Sequence, residues 1–341
     1  MSTPVGPSVL SVDLGKTNSR IRLDDASGRV ERQGPGFPGF AAEASVGLAL
    51  AAIIPLVEAL GADRLTGLVT IGIGAAGVDS NPASARAFVL RLREHWDTEV
   101  AIASDVLTAH LGAFAGETGT VLIAGTGAVA YSIHDAEARR SDGWGPWLGD
   151  EGSGRWVGQT GLVCALRAAD GRGPATALEQ DARDLSADLG VGPGAGLSAG
   201  LSADLGADLS ADLGAGLSAG LGAGLSALPR ALTGGSDVAR LLASFAPTVL
   251  RRAADGDGVA SSIVDDAIAH LVATTAAITV PCTPVSVVGG LAENPEFLRR
   301  LLVELRHHRL RPHRPVGTPL DGAVTLATRR NLPHERYVIR V

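Results

Sequence analysis

Twice along this chain an apolar strand pattern runs into a glycine-containing polar turn and out again into an alternating strand. Residues 8–14 are apolar with β-branched content, GKTN follows, and residues 19–24 (SRIRLD) alternate apolar and polar. Over residues 119–133 the order returns as GTVLIA, GTGA and VAYSI. We read this as an internal duplication that puts a boundary near residues 115–119. It divides the chain into an N-terminal domain, 1–117, and a C-terminal domain, 118–341. A 341-residue chain fits about two domains of usual size.

Between the repeats, residues 41–60 have apolar positions at helical spacing and 67–73 form a short strand. Ser80-Asn81-Pro82 supplies cap residues and a first-turn proline for a helix to about His95, followed by strand EVAIAS and helix DVLTAHLGAF. Later, 237–254 and 258–279 read as helices and VSVVGG as a strand and turn. Asn294 to about Arg306 and 321–330 read as helices, the latter placed to pack back on the N-terminal domain. From 185 to 228 the sequence is a Leu/Gly/Ala/Ser/Asp insertion, with leucine every fourth residue from 197 to 225. A strict period of four drifts around a 3.6-residue helix, and glycine costs about 1 kcal/mol in a helix interior, so the insertion is expected to be flexible or loosely helical, without chemistry.

Hydrophobic residues make up 45% against 19% charged, enough to fill real cores. The net charge of −7 provides no global positive field for nucleic acid or an anionic membrane, so a small molecule is the expected partner. A homodimer is compatible with the sequence. Cys164 and Cys282 are far apart, make neither a disulfide framework nor a zinc pattern, and read as buried small hydrophobes. The opening residues lack a basic and apolar leader, and no uncharged apolar run reaches the ~18 residues of a spanning helix. A cytoplasmic location is expected.

Four constellations could carry chemistry. In Asp13-Leu14-Gly15-Lys16-Thr17-Asn18, Gly15 permits close backbone approach, Lys16 and Thr17 suit phosphate oxygens, and Asp13 suits a hydrated Mg²⁺. Lys16 is the only lysine among 29 basic residues, which favours a functional turn over a plain polar hairpin. Gly125-Thr126-Gly127 is the equivalent turn of the second unit, so two such hairpins facing each other could grip the phosphates of a nucleotide. Asp105, after EVAIAS and opening a helix, suits either a helix cap or a general base. Residues 143–154, GWGPWLGDEGSG, set tryptophans and two carboxylates in a glycine-rich loop, an arrangement suited to sugar rings or to core filling.

Two further patterns are set aside. Gly72-Ile73-Gly74-Ala75-Ala76-Gly77 matches G-x-G-x-x-G after a strand, but its helix starts too late for a dinucleotide fold. The His307–Arg314 cluster reads as a solvated helix end.

Taken together, VDLGKTNSRIRL, SD with GTVLIAGTGAVAYS, GWGPWLGDEGSGRWVG and VSVVGGLAEN resemble the BadF/BadG/BcrA/BcrD-type ATPases, and among them the N-acetylglucosamine kinases. The resemblance implies an α/β fold of two ribonuclease-H-like, actin-like ATPase domains around an interdomain cleft. By the same resemblance Asp13 would help hold Mg²⁺, and Gly15, Lys16, Thr17, Gly125, Thr126 and Gly127 would hold the phosphates of ATP. Gly289 and Gly290 would pass close to adenosine, Asp105 would be the catalytic base, and Trp147, Gly149, Asp150 and Glu151 would face the sugar together with Asp105. Where N-acetylglucosamine kinases carry Ser-Asn after the second turn, this chain has Ala128-Val129, and GPGFPGF (34–40) replaces an asparagine-bearing sugar loop. The implied activity is transfer from ATP to the 6-hydroxyl of an amino sugar, N-acetylglucosamine or glucosamine. The rivals are an activator ATPase of a radical dehydratase, whose cysteines would converge on a cluster, and a sugar-sensing regulator, which would need a DNA-binding module ahead of residue 8.

Overall fold

The computed structural model describes residues 8–189 and 238–341, with Leu225, Leu228, Pro229 and Leu232 between them. The opening residues 1–7 and most of the leucine-rich insertion, including 190–224, lie outside the described residues.

The duplication extends further than the sequence patterns suggest. In the first sheet β1 (Ser8–Leu14), β2 (Asn18–Asp25) and β3 (Gly28–Pro35) form an antiparallel meander, and β4 (Leu68–Ala75) lies parallel beside β1. The second sheet repeats this with β6 (Gly119–Ala124), β7 (Ala128–His134), β8 (Glu137–Asp142) and, parallel to β6, β9 (Pro284–Val288). The third strand of each meander escapes the hydrophobic pattern because it is a mostly solvated edge: β3 has no buried residue and β8 none either. Strand β5 (Glu99–Ser104) extends the first sheet beyond β4. With β10 (Arg311–Pro312) and β11 (Ile339–Arg340), the sheet orders are β11-β5-β4-β1-β2-β3 and β10-β9-β6-β7-β8.

Helices cover the sheets as an α/β architecture requires. Helix α1 (Ser45–Glu58), the short α2 (Ala62–Leu65) and α3 (Pro82–Trp96) lie in the first half, α3 capped by Asn81 accepting from the Ser84 N–H at 3.1 Å. Helix α4 (Asp105–Phe114) joins the sheets, and α5 (Gly154–Ala169) and α6 (Leu178–Asp188) follow β8. The expected helix over 237–254 is two, α7 (Val238–Ala243) and α8 (Ala246–Ala254). The break falls at Ser244-Phe245, where Pro247 in the first turn of α8 restarts the helix. Helices α9 (Gly258–Ala276), α10 (Pro295–His307) and α11 (Pro319–Thr328) complete the chain. No helix among the described residues is long and apolar enough to cross a membrane.

Three apolar clusters result. One fills the first half around Ile21, Ile53, Ile73 and Phe88, and one fills the second around Leu122, Val249, Leu271 and Phe297. The third joins them through Leu107, Leu111 and Phe114 of α4, Val121 and Tyr131 of the second sheet, and Leu326 of α11.

The C-terminal helix α11 sits on the first sheet. A Cβ at Gly72 would strike the Ala323 carbonyl, one at Gly74 the Thr108 side chain, and one at Gly322 the Thr108 carbonyl. Two glycines of the G-x-G-x-x-G pattern thus serve close helix packing. Arg22, 3% exposed, ties β2 to α11 by donating to Asp24 and Asp321, both at 2.9 Å.

One cysteine departs from expectation. Cys164 is half-buried against the C-terminal core, but Cys282 is exposed with φ of 69° in the turn before β9. A tight turn on the surface, not an apolar neighbourhood, sets its environment.

Candidate functional site

The two glycine turns lie at corresponding ends of their sheets. At the first, the Gly15 N–H donates to the Asn18 carbonyl at 3.2 Å, and the Gly15 carbonyl accepts from the Phe37 N–H at 3.0 Å. A Cβ at Gly36 would run into the Lys16 carbonyl, so the Gly34–Phe40 loop lies directly beneath the turn. Phe37 and Phe40 anchor that loop, both fully buried with ring centroids 4.9 Å apart. The segment GPGFPGF therefore buttresses the lysine turn. Lys16 itself is exposed and Thr17 half-buried.

At the second turn the Gly125 N–H donates to the Gly127 carbonyl at 2.9 Å. The first two N–H groups of α5 reach back, Gly154 to the Gly125 carbonyl at 2.8 Å and Arg155 to the Thr126 carbonyl at 3.1 Å. Those amides are orphans within the helix, and here they brace the turn. Gly289 has φ of 104°, and a Cβ there would stand 2.6 Å from the Ala124 carbonyl, so only glycine lets the end of β9 lie against the turn. The turn opens on a cavity of about 280 Å³ lined in part by Gly125, Thr126, Gly154, Leu250, Gly290 and Asn294. Gly154, Leu250 and Asn294 were not among the expected site residues. Asn294 has a visible structural duty, capping α10 by accepting from the Phe297 N–H at 2.9 Å.

Asp105 opens α4, but among the described residues its carboxylate accepts from the adjacent Val106 N–H alone, at 3.0 Å, and does not cap the later amides of the turn. Burial raises its pKa to about 6, aided by the neighbouring negative charges of Asp13 and Asp79 and opposed by the Val106 N–H and Lys16. Burial also pushes Asp13 up, and Arg20, donating to it at 2.8 Å, pulls it back. Asp105 is thus less acidic than an ordinary carboxylate, with the charge of Lys16 acting against the shift.

Asp150 is held by backbone geometry. It has φ of 56°, its N–H donates to Asp142 Oδ1 at 2.7 Å, and the Glu151 N–H donates to Asp142 Oδ2 at 2.8 Å. Its own carboxylate accepts from the Ala128 N–H at 3.4 Å. Burial raises its pKa; the Ala128 N–H lowers it, Asp142 raises it, and Arg155 and Lys16 lower it. Lys16 therefore acts electrostatically on both Asp105 and Asp150. The charge of Lys16 thus links the first turn to Asp105 and Asp150, and the Ala128 N–H bond holds Asp150 against the second turn, which groups them as one candidate site.

The other loop residues divide. Gly149 packs against Asp142 and Trp144, leaving no room for a side chain. Glu151 is exposed with His270 Nδ1 3.4 Å from its carboxylate. Trp147 and Trp144 are 75% and 69% exposed, the latter with the Arg140 guanidinium 4.7 Å above its ring, so neither fills a core. Asp142 and Arg155 carry no signal in the sequence, because the partners that bring them to this loop depend on tertiary structure.

Known proteins resemble the chain at several levels. An N-acetylmuramic acid/N-acetylglucosamine kinase of Clostridium acetobutylicum is 32% identical over 115 residues, 33% of this chain and 38% of that protein. An N-acetyl-D-glucosamine kinase of Dictyostelium discoideum is 35% identical over 124 residues, 33% of this chain and 37% of that protein. The matched region thus spans well under half of either curated relative. Among solved structures, a candidate N-acetylglucosamine kinase from Chromobacterium violaceum superposes with a TM-score of 0.68 at 24% identity, covering 94% of this chain and 99% of that one. Another from Porphyromonas gingivalis gives 0.64 at 17% identity, covering 93% and 98%. These likenesses establish the fold, an α/β architecture of two mixed sheets covered by helices. Residues 10–327 match the family model over nearly the whole chain, and the protein belongs to the BadF/BadG/BcrA/BcrD ATPase family.

Proposed function

We propose that the protein is a cytoplasmic ATP-dependent kinase acting on the 6-hydroxyl of an amino sugar, N-acetylglucosamine or glucosamine. The observation that carries this reading is Asp105. It is a partly buried carboxylate opening α4, with its pKa raised to about 6 by burial and by the charge of Asp13 and opposed by Lys16, and it stands with Asp150 and the two glycine turns in the candidate site. Phosphoryl transfer needs positioning, charge neutralisation and one proton acceptor, and this group has the basicity for the last task.

In the proposed reaction Asp105 takes the proton of the acceptor hydroxyl as its oxygen attacks the γ-phosphorus. The bond from that phosphorus to the β,γ-bridging oxygen breaks, and ADP leaves. Lys16 and the amides of the Gly15–Thr17 and Gly125–Gly127 turns would hold the phosphates. The cavity beside Gly290 would take the adenosine, Gly289 keeping the end of β9 against the second turn. Asp150, with Gly149, Glu151 and Trp147 around it, would orient the sugar hydroxyls.

Asp13 fits a Mg²⁺ site: its side chain is 13% exposed, and burial raises its pKa even with Arg20 beside it, so the carboxylate lacks full charge compensation. One carboxylate completed by waters and phosphate oxygens is a usual donor set for this ion. Bound there, Mg²⁺ would neutralise charge on the phosphates. We take residues 1–117 and 118–341 as the two domains, α11 returning to the first, and their closure would exclude water from the transfer.

The test is an ADP-release assay with Mg-ATP and glucosamine, N-acetylglucosamine, N-acetylmannosamine or glucose, each against a control without sugar and with product detection. Release that depends on an amino sugar, with its 6-phosphate formed, supports the proposal. Slow release indifferent to every sugar overturns it.

A further inference from the structure

Arg155 occupies the second position of α5, 6% exposed. A cation there opposes the positive end of the helix dipole, and burial works against its charge. Stability alone gives no reason to keep it, since a well-packed apolar side chain serves as well or better.

Its bonds suggest what it does. The backbone N–H holds the Thr126 carbonyl at 3.1 Å, while Nη2 of the side chain donates to the Gly149 carbonyl at 2.6 Å. Nη1 donates to Gln159 Oε1 at 2.7 Å, one helical turn on, which fixes the plane of the guanidinium. Among the described residues Nε has no partner. One residue therefore joins the second glycine turn to the residue just before Asp150. The charges facing this region come from Asp142 on β8, Asp150 itself and Lys16 on the first turn.

We infer that Arg155 is a positioning residue for the acceptor: it sets the distance between the Thr126 turn and the Gly149-Asp150 turn, and so the place of the Asp150 carboxylate relative to the phosphates. The inference rests on the amino-sugar kinase reading. Arginine is needed because its planar fork can span Gly149 and Gln159 together, which a lysine cannot do.

Three variants test it: Arg155→Gln, Arg155→Lys and the milder Gln159→Leu. Misplacement on the order of 1 Å can cost ~10²-fold, so Arg155→Gln is expected to raise the sugar KM about tenfold or more. The ATP KM should stay within about twofold, because the cavity beside Gly290 is not touched. Arg155→Lys should recover part of the loss by reaching Gly149 alone, and Gln159→Leu should show a smaller loss in the same direction. Equal rises in both KM values, or a lysine variant no better than the glutamine one, would overturn the inference. Hydrogen exchange at the Asp150 and Glu151 amides, measured on the full chain without sugar, gives a second reading. Faster exchange there in Arg155→Gln, with the last turns of α5 unchanged, supports the anchor, and unchanged exchange rejects it. If the wild-type protein phosphorylates no amino sugar, the functional reading fails, and the exchange result still decides the anchor.

Discussion

The α-carbon of Gly127 lies against the carboxylate of Asp150, so that a Cβ added at 127 would stand 2.9 Å from Asp150 Oδ2. The turn proposed for phosphate and the carboxylate proposed for sugar are therefore in direct contact. Their separation leaves no room for a methyl group.

Gly127→Ala should push Asp150 aside and act on the acceptor. The expected result is a sugar KM raised about tenfold with the ATP KM little changed, a split that steady-state kinetics reads directly. Gly289→Ala should do the reverse. Its φ of 104° and the Ala124 carbonyl 2.6 Å away force the backbone to move, raising the ATP KM and lowering stability by about 1–3 kcal/mol. Identical kinetic profiles for the two variants would contradict the division of the site.

Asp105→Asn should keep nucleotide binding and lose transfer by ~10²-fold or more, since general-base help is typically worth 10² to 10⁴. In the wild type, Asp105 must be ionised to accept a proton, so kcat/KM should rise with pH through about 6 and level off above it. A flat profile between pH 5 and 7 would remove Asp105 from the proton transfer, as would near-normal turnover in the variant.

Much of this arrangement is legible in the sequence, and what is not has a physical reason. The strands that carry Asp13 or lead into Gly125 and Gly289 show as apolar runs because both faces are covered, and the cap at Asn81 and the helix start at Asn294 show because a helix N-terminus is a local feature. Strands β3 and β8 do not show, since a solvated edge has no apolar signature. The G-x-G-x-x-G pattern misleads because glycine serves close backbone approach whether the approaching group is a phosphate or the α11 backbone at Ala323. Asp142 and Arg155 are invisible for a different reason. The partners that tie them to the Gly149–Glu151 turn, the amides of Asp150 and Glu151 for one and the carbonyl of Gly149 for the other, are backbone groups, which a sequence does not distinguish from any others.

The contact between α11 and α4 makes a stability prediction. Gly322→Ala places a methyl group into the Thr108 carbonyl, a backbone atom that can move only with α4. The variant should lose about 1–3 kcal/mol or more by overpacking, visible as a lower midpoint in chemical denaturation. Because α4 begins at Asp105, turnover should fall as well. Gly258→Ala, where a Cβ meets nothing within 4 Å, is the control and should leave both unchanged. Equal stability of the two variants would show that the helices are not packed as described.

Two buried histidines at the junction of the sheets make stability depend on pH. His110, fully buried, has Nε2 3.0 Å from the Gly119 carbonyl, and among the described residues its Nδ1 has no partner, nor does either ring nitrogen of His334, also fully buried. Burial lowers both pKa values to about 4, so the folded chain binds fewer protons than the unfolded one between that value and the usual 6.5 or so. The contribution is fully present above about pH 6.5 and is lost as pH falls towards 4, at about 3 kcal/mol per histidine over the whole window. Asp105 works in the opposite direction over much of the same range, because its raised pKa makes the folded state the better proton acceptor below about 6. Asp13 and Asp150, which burial also raises, act with Asp105, but the histidines should win, since both titrate across the whole window from about 6.5 to about 4. Melting temperature is therefore expected to drop between pH 7 and 4.5, and His334→Leu, which removes both unpaired nitrogens, should flatten that drop relative to the wild type. Parallel curves for the two proteins would show that His334 does not titrate between its folded and unfolded environments.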